Sequence, residues 1–401
     1  MRTYRALHHK NYVLFCTSDF LASIGQFVQE IALYWLAYEI TGSAIALGLL
    51  GLFEAIPSLI LTPFIGVLVD RHNRQHILIL VQFFAAIPIF ILTLLYFAGV
   101  LEFWHILTLQ VAHSVARVLN PPTAHSIIRD LVPQDDLVSG VALFSMEFNI
   151  ARVLGPSLGG VLILWIGAGG CFLFYTVCLV ISGLGFLSIQ LPKKELRRGG
   201  GNYLREVNEG FRYVWHEPVI LISMGAAFIL SVFVGTYHRF LPVFAKEVLN
   251  VGPGGLGFLM AAQGFGGILT LSFLTPMVEK WNKETLIFLA ATATPVFLIL
   301  FSLSNSLFIS MVLLALVGAT GVAYRTISRV IYQIRVPYGF LGRVMSVFQM
   351  DHGMRSVGSM VIGAFISLFG IALGLSLTSV ISLILTSTIF FLFFRSPRNK
   401  L

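Results

Sequence analysis

The chain has 401 residues, of which 57% are hydrophobic and 11% charged, with a net charge of +8 and a mean hydropathy of +0.88. A water-soluble surface cannot be covered from so small a share of charge, which excludes a soluble enzyme or nucleic-acid-binding domain and leaves an integral membrane protein. No His-Glu-x-x-His, Cys-x-x-Cys or phosphate-loop pattern occurs, so no enzyme activity, cofactor, metal or ATP-driven step is expected.

Apolar stretches long enough to cross a hydrocarbon core of about 30 Å recur along the chain. They predict twelve spans: 11–38, 44–70, 75–98, 103–130, 136–166, 170–191, 217–246, 253–279, 284–303, 306–335, 341–369 and 371–395. Lipid offers the backbone no hydrogen-bond partner, so spans of this length form helices; a barrel would show short alternating strands. The fold class expected is therefore an all-α membrane protein.

Span 1 is too long for a signal-peptide core. Its Asp19, Ser23, Gln26 and Glu30 fall on one helical stripe, and such a stripe does not suit lipid. Span 2 carries Glu54 near its middle and ends Gly66-x-x-x-Asp70-Arg71-x-x-Arg74. Asp70 is expected against the positive end of a neighbouring helix, with Arg71 and Arg74 in reach of Asp130, Asp135 or Asp136. Span 4 has His113 and Arg117 one turn apart. Span 5 carries Glu147 near mid-membrane, then Gly155-Pro156-Ser157-Leu158-Gly159-Gly160, whose small residues permit close helix approach while Pro156 permits a bend.

Cys171 and Cys178 lie seven residues apart on one helix, about 10 Å, too far to bridge. Residues 192–216 form a polar linker with a Gly199-Gly200-Gly201 hinge. Its second part has the spacing of an amphipathic helix at a membrane surface. Beyond it, span 10 carries Tyr324, Arg325, Arg329 and Tyr332, while span 11 carries Phe348, Asp351 and Arg355, the last two one turn apart and able to neutralise each other.

The chain repeats itself. At a shift of 209, Glu54 meets Gln263 and Asp70-Arg71-His72-Asn73-Arg74 meets Glu279-Lys280-Trp281-Asn282-Lys283; at a shift of 204, Glu147 meets Asp351 and Gly159 meets Gly363. Two six-helix bundles, 1–191 and 217–401, are expected on either side of the linker. Of the 26 Lys and Arg, 19 fall in the termini and even-numbered loops, which predicts both termini in the cytoplasm.

Six plus six spans with the Asp70-Arg71-x-x-Arg74 loop resemble the major facilitator superfamily. Asn73 stands where that loop commonly has Gly, and Asn tolerates a left-handed turn there. Within the superfamily, Ala32-Leu33-x-Trp35-Leu36 and Thr41-Gly42-Ser43-Ala44 resemble bacterial exporters of the enterobactin-exporter and macrolide-efflux type. The resemblance implies that the Gly66 to Arg74 loop latches the cytoplasmic side and breaks when the halves rock. The Gly155 to Gly160 segment resembles a signature of exporters and antiporters, with Ala151 where that signature usually begins with Gly.

Ionisable groups inside spans are functional candidates. Glu147, Glu54, Asp351, Asp19 and Glu30 are the expected proton carriers, Glu147 first because no cation stands one turn away on its own helix. Gln26, Tyr34, His113, Arg117, Tyr324, Arg325, Arg329, Tyr332, Phe348 and Arg355 are the expected cavity residues. The function expected is proton-coupled export of amphipathic organic molecules such as drugs or siderophores, by a monomer in the bacterial inner membrane with no nucleic-acid partner. An importer or uniporter of the same fold is the alternative. A membrane sensor is less consistent, because the linker offers no partner domain.

Overall fold

A computed structural model describes residues 2–189, 212–337, 344, 347–348 and 351–395. Among these the regular elements are helices, with no strand. A 3₁₀ turn at Arg2–His8 precedes α1 (Lys10–Thr41), α2 (Ala44–Arg71), α3 (Arg74–Phe97) and α4 (Phe103–Leu131). The run Leu137–Leu187 is broken at Gly167, where φ 67° and ψ 178° belong to a region open essentially to glycine. That break separates α5 (137–166) from α6 (168–187). There follow α7 (Pro218–Phe233), a 3₁₀ turn at Tyr237–Phe240, α8 (Leu241–Glu247), α9 (Pro253–Lys280), α10 (Lys283–Ser302), α11 (Leu307–Arg335), α12 (Asp351–Phe369) and α13 (Ile371–Arg395).

Seven described stretches are long and apolar enough to cross a membrane, and residues 44–58 and 353–369 form shorter apolar helices. α4 is not among the seven, although it has 29 residues, because Gln110, His113, Ser114, Arg117 and Asn120 interrupt its apolar surface. The seventh expected span is not one helix either. α7 ends at Phe233, and α8 starts afresh with Pro242 near its N-terminus, where a missing N–H costs nothing.

By internal contacts the chain divides into two compact units, Met1–Gly42 with Phe53–Gly200, and Ser43–Leu52 with Gly201–Leu401. In the first, Phe15 stacks between Phe144 and Phe186 with ring centroids 5.5 and 5.9 Å away. Tyr12, Ile127, Ile128 and Leu131 complete that cluster, which ties the start of α1 to the end of α4 and the start of α5. α1 and α4 therefore run antiparallel, and α1 and α5 parallel. In the second unit, Phe244 packs on Phe301 at 4.3 Å.

The sequence repeat is visible at two helix starts. Asn73 accepts hydrogen bonds from the backbone N–H groups of Gln75 and His76, and Asn282 accepts from Glu284 and Thr285 in the same way. Asn73 has φ −66° and ψ 117°, so the left-handed turn expected there is not adopted. An N-cap residue needs extended backbone to aim its side chain at the first turn. The glycine-rich hinge and most of the amphipathic segment lie outside the described residues, as do the side chains of Asp70 and Arg71 and the surroundings of Gly66.

Candidate functional site

Close approach of α1 and α5 sets the level of the acidic groups. Tyr12 Oη donates to the Gly140 carbonyl at 2.7 Å, Phe15 stacks on Phe144, Gly155 abuts Ile24 and Phe27, and Gly159 lies against Val28 and Ile31. The offset between facing residues is 128 at the Tyr12 contact and stays near that value along the pair. It brings Asp19 level with Glu147. The Gly155-Pro156 segment, with Gly159 and Gly160 buried, therefore acts as the seam that holds these two helices together.

Asp19 is 3% exposed. It takes a hydrogen bond from the Asn120 side chain of α4, while its Oδ1 has no hydrogen-bond partner among the described residues. Both carboxyl oxygens of Glu147 are buried and likewise without one, and the charges of Asp19 and Glu147 act on each other. Buried carboxylates are normally paired or hydrogen-bonded. Two acids thus lie at one level, with three buried oxygens that have no hydrogen-bond partner among the described residues.

Arg117 does not take that role: its ion pair is with Glu54, Nη1 to Oε1 at 3.7 Å. His113 is fully buried and its Nε2 meets the Tyr175 hydroxyl at 3.2 Å. Tyr34 is nearly buried and bonds Glu30 at 3.4 Å, whereas Gln26 is half-buried. At the other end of the unit, Arg74 reaches Asp130 at 2.5 Å, with side-chain exposures of 26% and 10%, and also touches the Ser126 carbonyl at 3.4 Å. Of the three acids considered for Arg74, geometry selects Asp130. Asp136 instead meets His9 at 2.9 Å.

The repeat-related acid in the second unit has the opposite surroundings. Asp351 Oδ2 receives Arg355 Nη2 at 2.8 Å, Ser231 Oγ donates to Oδ1, and Arg325 adds its charge from α11. Tyr324 Oη donates to the Ser223 carbonyl at 2.5 Å, and Ser223 Oγ donates to Tyr332 Oη at 2.9 Å. The Tyr332 ring meets Phe348 edge-on at 5.3 Å. These three aromatics are buried within the unit, while Arg329 is exposed and does not join them. Asn120, Tyr175 and Tyr12 were not among the sequence candidates. Asn120 was readable as the last member of a polar stripe at Gln110, His113, Ser114 and Arg117.

A profile of a family described as transmembrane secretion effector matches residues 2–400. The staphyloferrin A transporter of Staphylococcus aureus is 22% identical over 382 residues, covering 94% of this chain and 95% of that one. Macrolide efflux protein A of Streptococcus pyogenes is 22% identical over 337 residues, 80% of each chain. The crystal structure of the nucleoside transporter NupG matches at a TM-score of 0.76 with 11% identity, over 96% of this chain and 98% of that one, a likeness of fold alone.

Proposed function

Since the chain belongs to the transmembrane secretion effector family of major facilitator transporters, we propose that it is a proton-coupled exporter of amphipathic organic molecules, working by alternating access. The observation that carries this reading is Glu147 opposite Asp19, with both carboxyl oxygens of Glu147 and Oδ1 of Asp19 buried and without a hydrogen-bond partner among the described residues. Glu147 takes a proton when its surroundings are dry and releases it when a cavity opens beside it, because hydration favours the charged form. Asp351, neutralised by Arg355, acts in this scheme as a fixed structural pair. The Arg74–Asp130 pair, with Asp70 and Arg71, latches the cytoplasmic end. Two six-helix halves, 1–191 and 217–401, rock about the 192–216 linker, with both termini in the cytoplasm of a bacterial inner membrane.

Export is favoured over import by the names of the relatives, a macrolide efflux protein among them, and by the Gly155 to Gly160 segment. The experiment compares cells that express the protein with cells that lack it, measuring accumulation of a radiolabelled macrolide and of staphyloferrin A. Expressing cells should hold less of at least one compound, and a protonophore should erase the difference. A difference that survives the protonophore would exclude proton coupling, and greater accumulation in expressing cells would reverse the direction.

A further inference from the structure

The first unit carries a second polar feature, reaching away from the acid pair. Three contacts fix how antiparallel α1 and α4 lie together: Tyr12 clusters with Ile128, Asn120 bonds Asp19, and Tyr175 sits against both Gly25 and His113. As numbers rise on α1 they fall on α4, which brings Gln26 level with His113 and Ser114, and Gln29 level with Gln110. On α4, Gln110, His113, Ser114, Arg117 and Asn120 recur every three or four residues and so share one face.

Along this seam, which Tyr175 of α6 also lines, a series of buried polar atoms has no protein partner among the described residues: Gln29 Nε2 on the α6 side, and Gln110 Oε1, His113 Nδ1, Ser114 Oγ, Asn120 Oδ1 and Asp19 Oδ1. Gln29, Gln110, His113 and Ser114 are each 3% exposed or less. Buried polar groups in folded proteins are almost always satisfied, by protein or by water. Donors and acceptors that follow one another at each helical turn provide the two to four partners that a buried water needs.

We propose that the seam where α1 and α4 meet Tyr175 of α6 is a hydrated proton path, about 15 Å long at 1.5 Å per residue, from the Asp19–Glu147 pair toward the end of the unit opposite Arg74 and Asp130 as far as Gln29 and Gln110. An excess proton enters beside Gln29 and Gln110. Each water accepts one proton and passes one on, and the last proton forms an O–H bond on a carboxylate oxygen of Glu147, with nothing oxidised or reduced. Arg117 faces the path from α4, and its ion pair with Glu54 offsets a charge that would repel the incoming proton. Glu30 from α1 and Tyr175 from α6 are the other titratable groups beside it. The hydration of the seam stands on its own; its role as a proton path rests on the proton-coupled reading above.

Two measurements test it. In a chain with Cys16→Ser, Cys171→Ser and Cys178→Ser, reconstituted in phosphatidylethanolamine and phosphatidylglycerol vesicles, Ser114→Cys and Ala124→Cys are each reacted with a small charged methanethiosulfonate. That reagent needs an ionised thiol, hence water. Ala124 is 1% exposed in the apolar cluster of the same helix. Ser114→Cys should react at least tenfold faster, and equal rates would overturn the seam whatever Glu147 does. Second, proton uptake after a pH jump is followed with a soluble pH dye. The component that Glu147→Gln removes should slow at least tenfold in Gln29→Leu/Gln110→Leu, and an unchanged rate would overturn the path. Should Glu147→Gln remove no uptake at all, Glu147 is not the acceptor and the path to it fails, while fast labelling of Ser114→Cys would still mark the seam as hydrated.

Discussion

Replacing Gly159 by Ala adds one methyl group where α5 meets α1. That methyl would stand 3.1 Å from Val28 Cα and 3.3 Å from the Val28 carbonyl oxygen, with Ile31 Cβ at 3.6 Å. The two nearest atoms are backbone, so no rotamer change relieves the contact and the helices must separate by a few tenths of an ångström. Association of helices in lipid draws on close packing rather than on hydrophobic transfer, and a gap of about 0.5–1 Å forfeits a quarter to a half of each dispersion well. Overpacking of this kind costs about 1–3 kcal/mol, a factor of roughly 5 to 150 in the folding equilibrium. Thermal unfolding of purified protein in detergent should show a lower midpoint for Gly159→Ala, and a further fall for Gly159→Leu. Val28→Ala should fail to rescue Gly159→Ala, because it trims the side chain and leaves the clashing backbone in place. A Gly159→Ala midpoint equal to wild type, or full rescue by Val28→Ala, would refute the α1–α5 contact described here.

Arg74→Ala and Asp70→Asn should each reduce transport at least tenfold while surface expression stays near wild type; normal efflux in both would remove the latch from the account. Arg355→Ala strands Asp351 in a buried site and should destabilise the fold by about 3–5 kcal/mol, visible as loss of monodisperse protein on size exclusion, whereas Arg355→Ala with Asp351→Asn should recover much of it. Asn73→Ala and Asn282→Ala each remove a helix cap worth about 0.5–2 kcal/mol, and should lower the unfolding midpoint by similar amounts, since the two sites repeat one arrangement; a drop at one site alone would argue against their equivalence.

The helical architecture was legible because lipid imposes a length and an apolar composition on every span, and the repeat was legible because Asn73 and Asn282 keep one job in both halves. Glu147 could be singled out from its position midway along a long apolar run with no cation at i+4. The Asp351–Arg355 pair was legible from its i, i+4 spacing, whereas the partner of Arg117 on another helix was not. Arg117, Glu54 and Glu147 stand on three different spans, and only the side-by-side placement of α2 and α4 sends Arg117 to Glu54. Likewise Tyr324, Tyr332 and Phe348 read as cavity aromatics, yet the Ser223 bonds draw the two tyrosines into the interior of the second unit. Asn120 and Gln110 share a polar stripe on α4, but an uncharged amide gives little signal until a neighbouring helix shows what it faces.

The central claim is that Glu147 carries the transported proton. It is tested most directly by counting protons released when a transported compound, identified by the accumulation assay, is added to purified protein in weakly buffered detergent solution. Wild type should release protons in proportion to the bound compound, and Glu147→Gln, which keeps size and hydrogen bonding but cannot ionise, should bind the compound and release at least tenfold fewer. An identical proton count from the two would contradict the account and shift the role to Asp19 or Glu54.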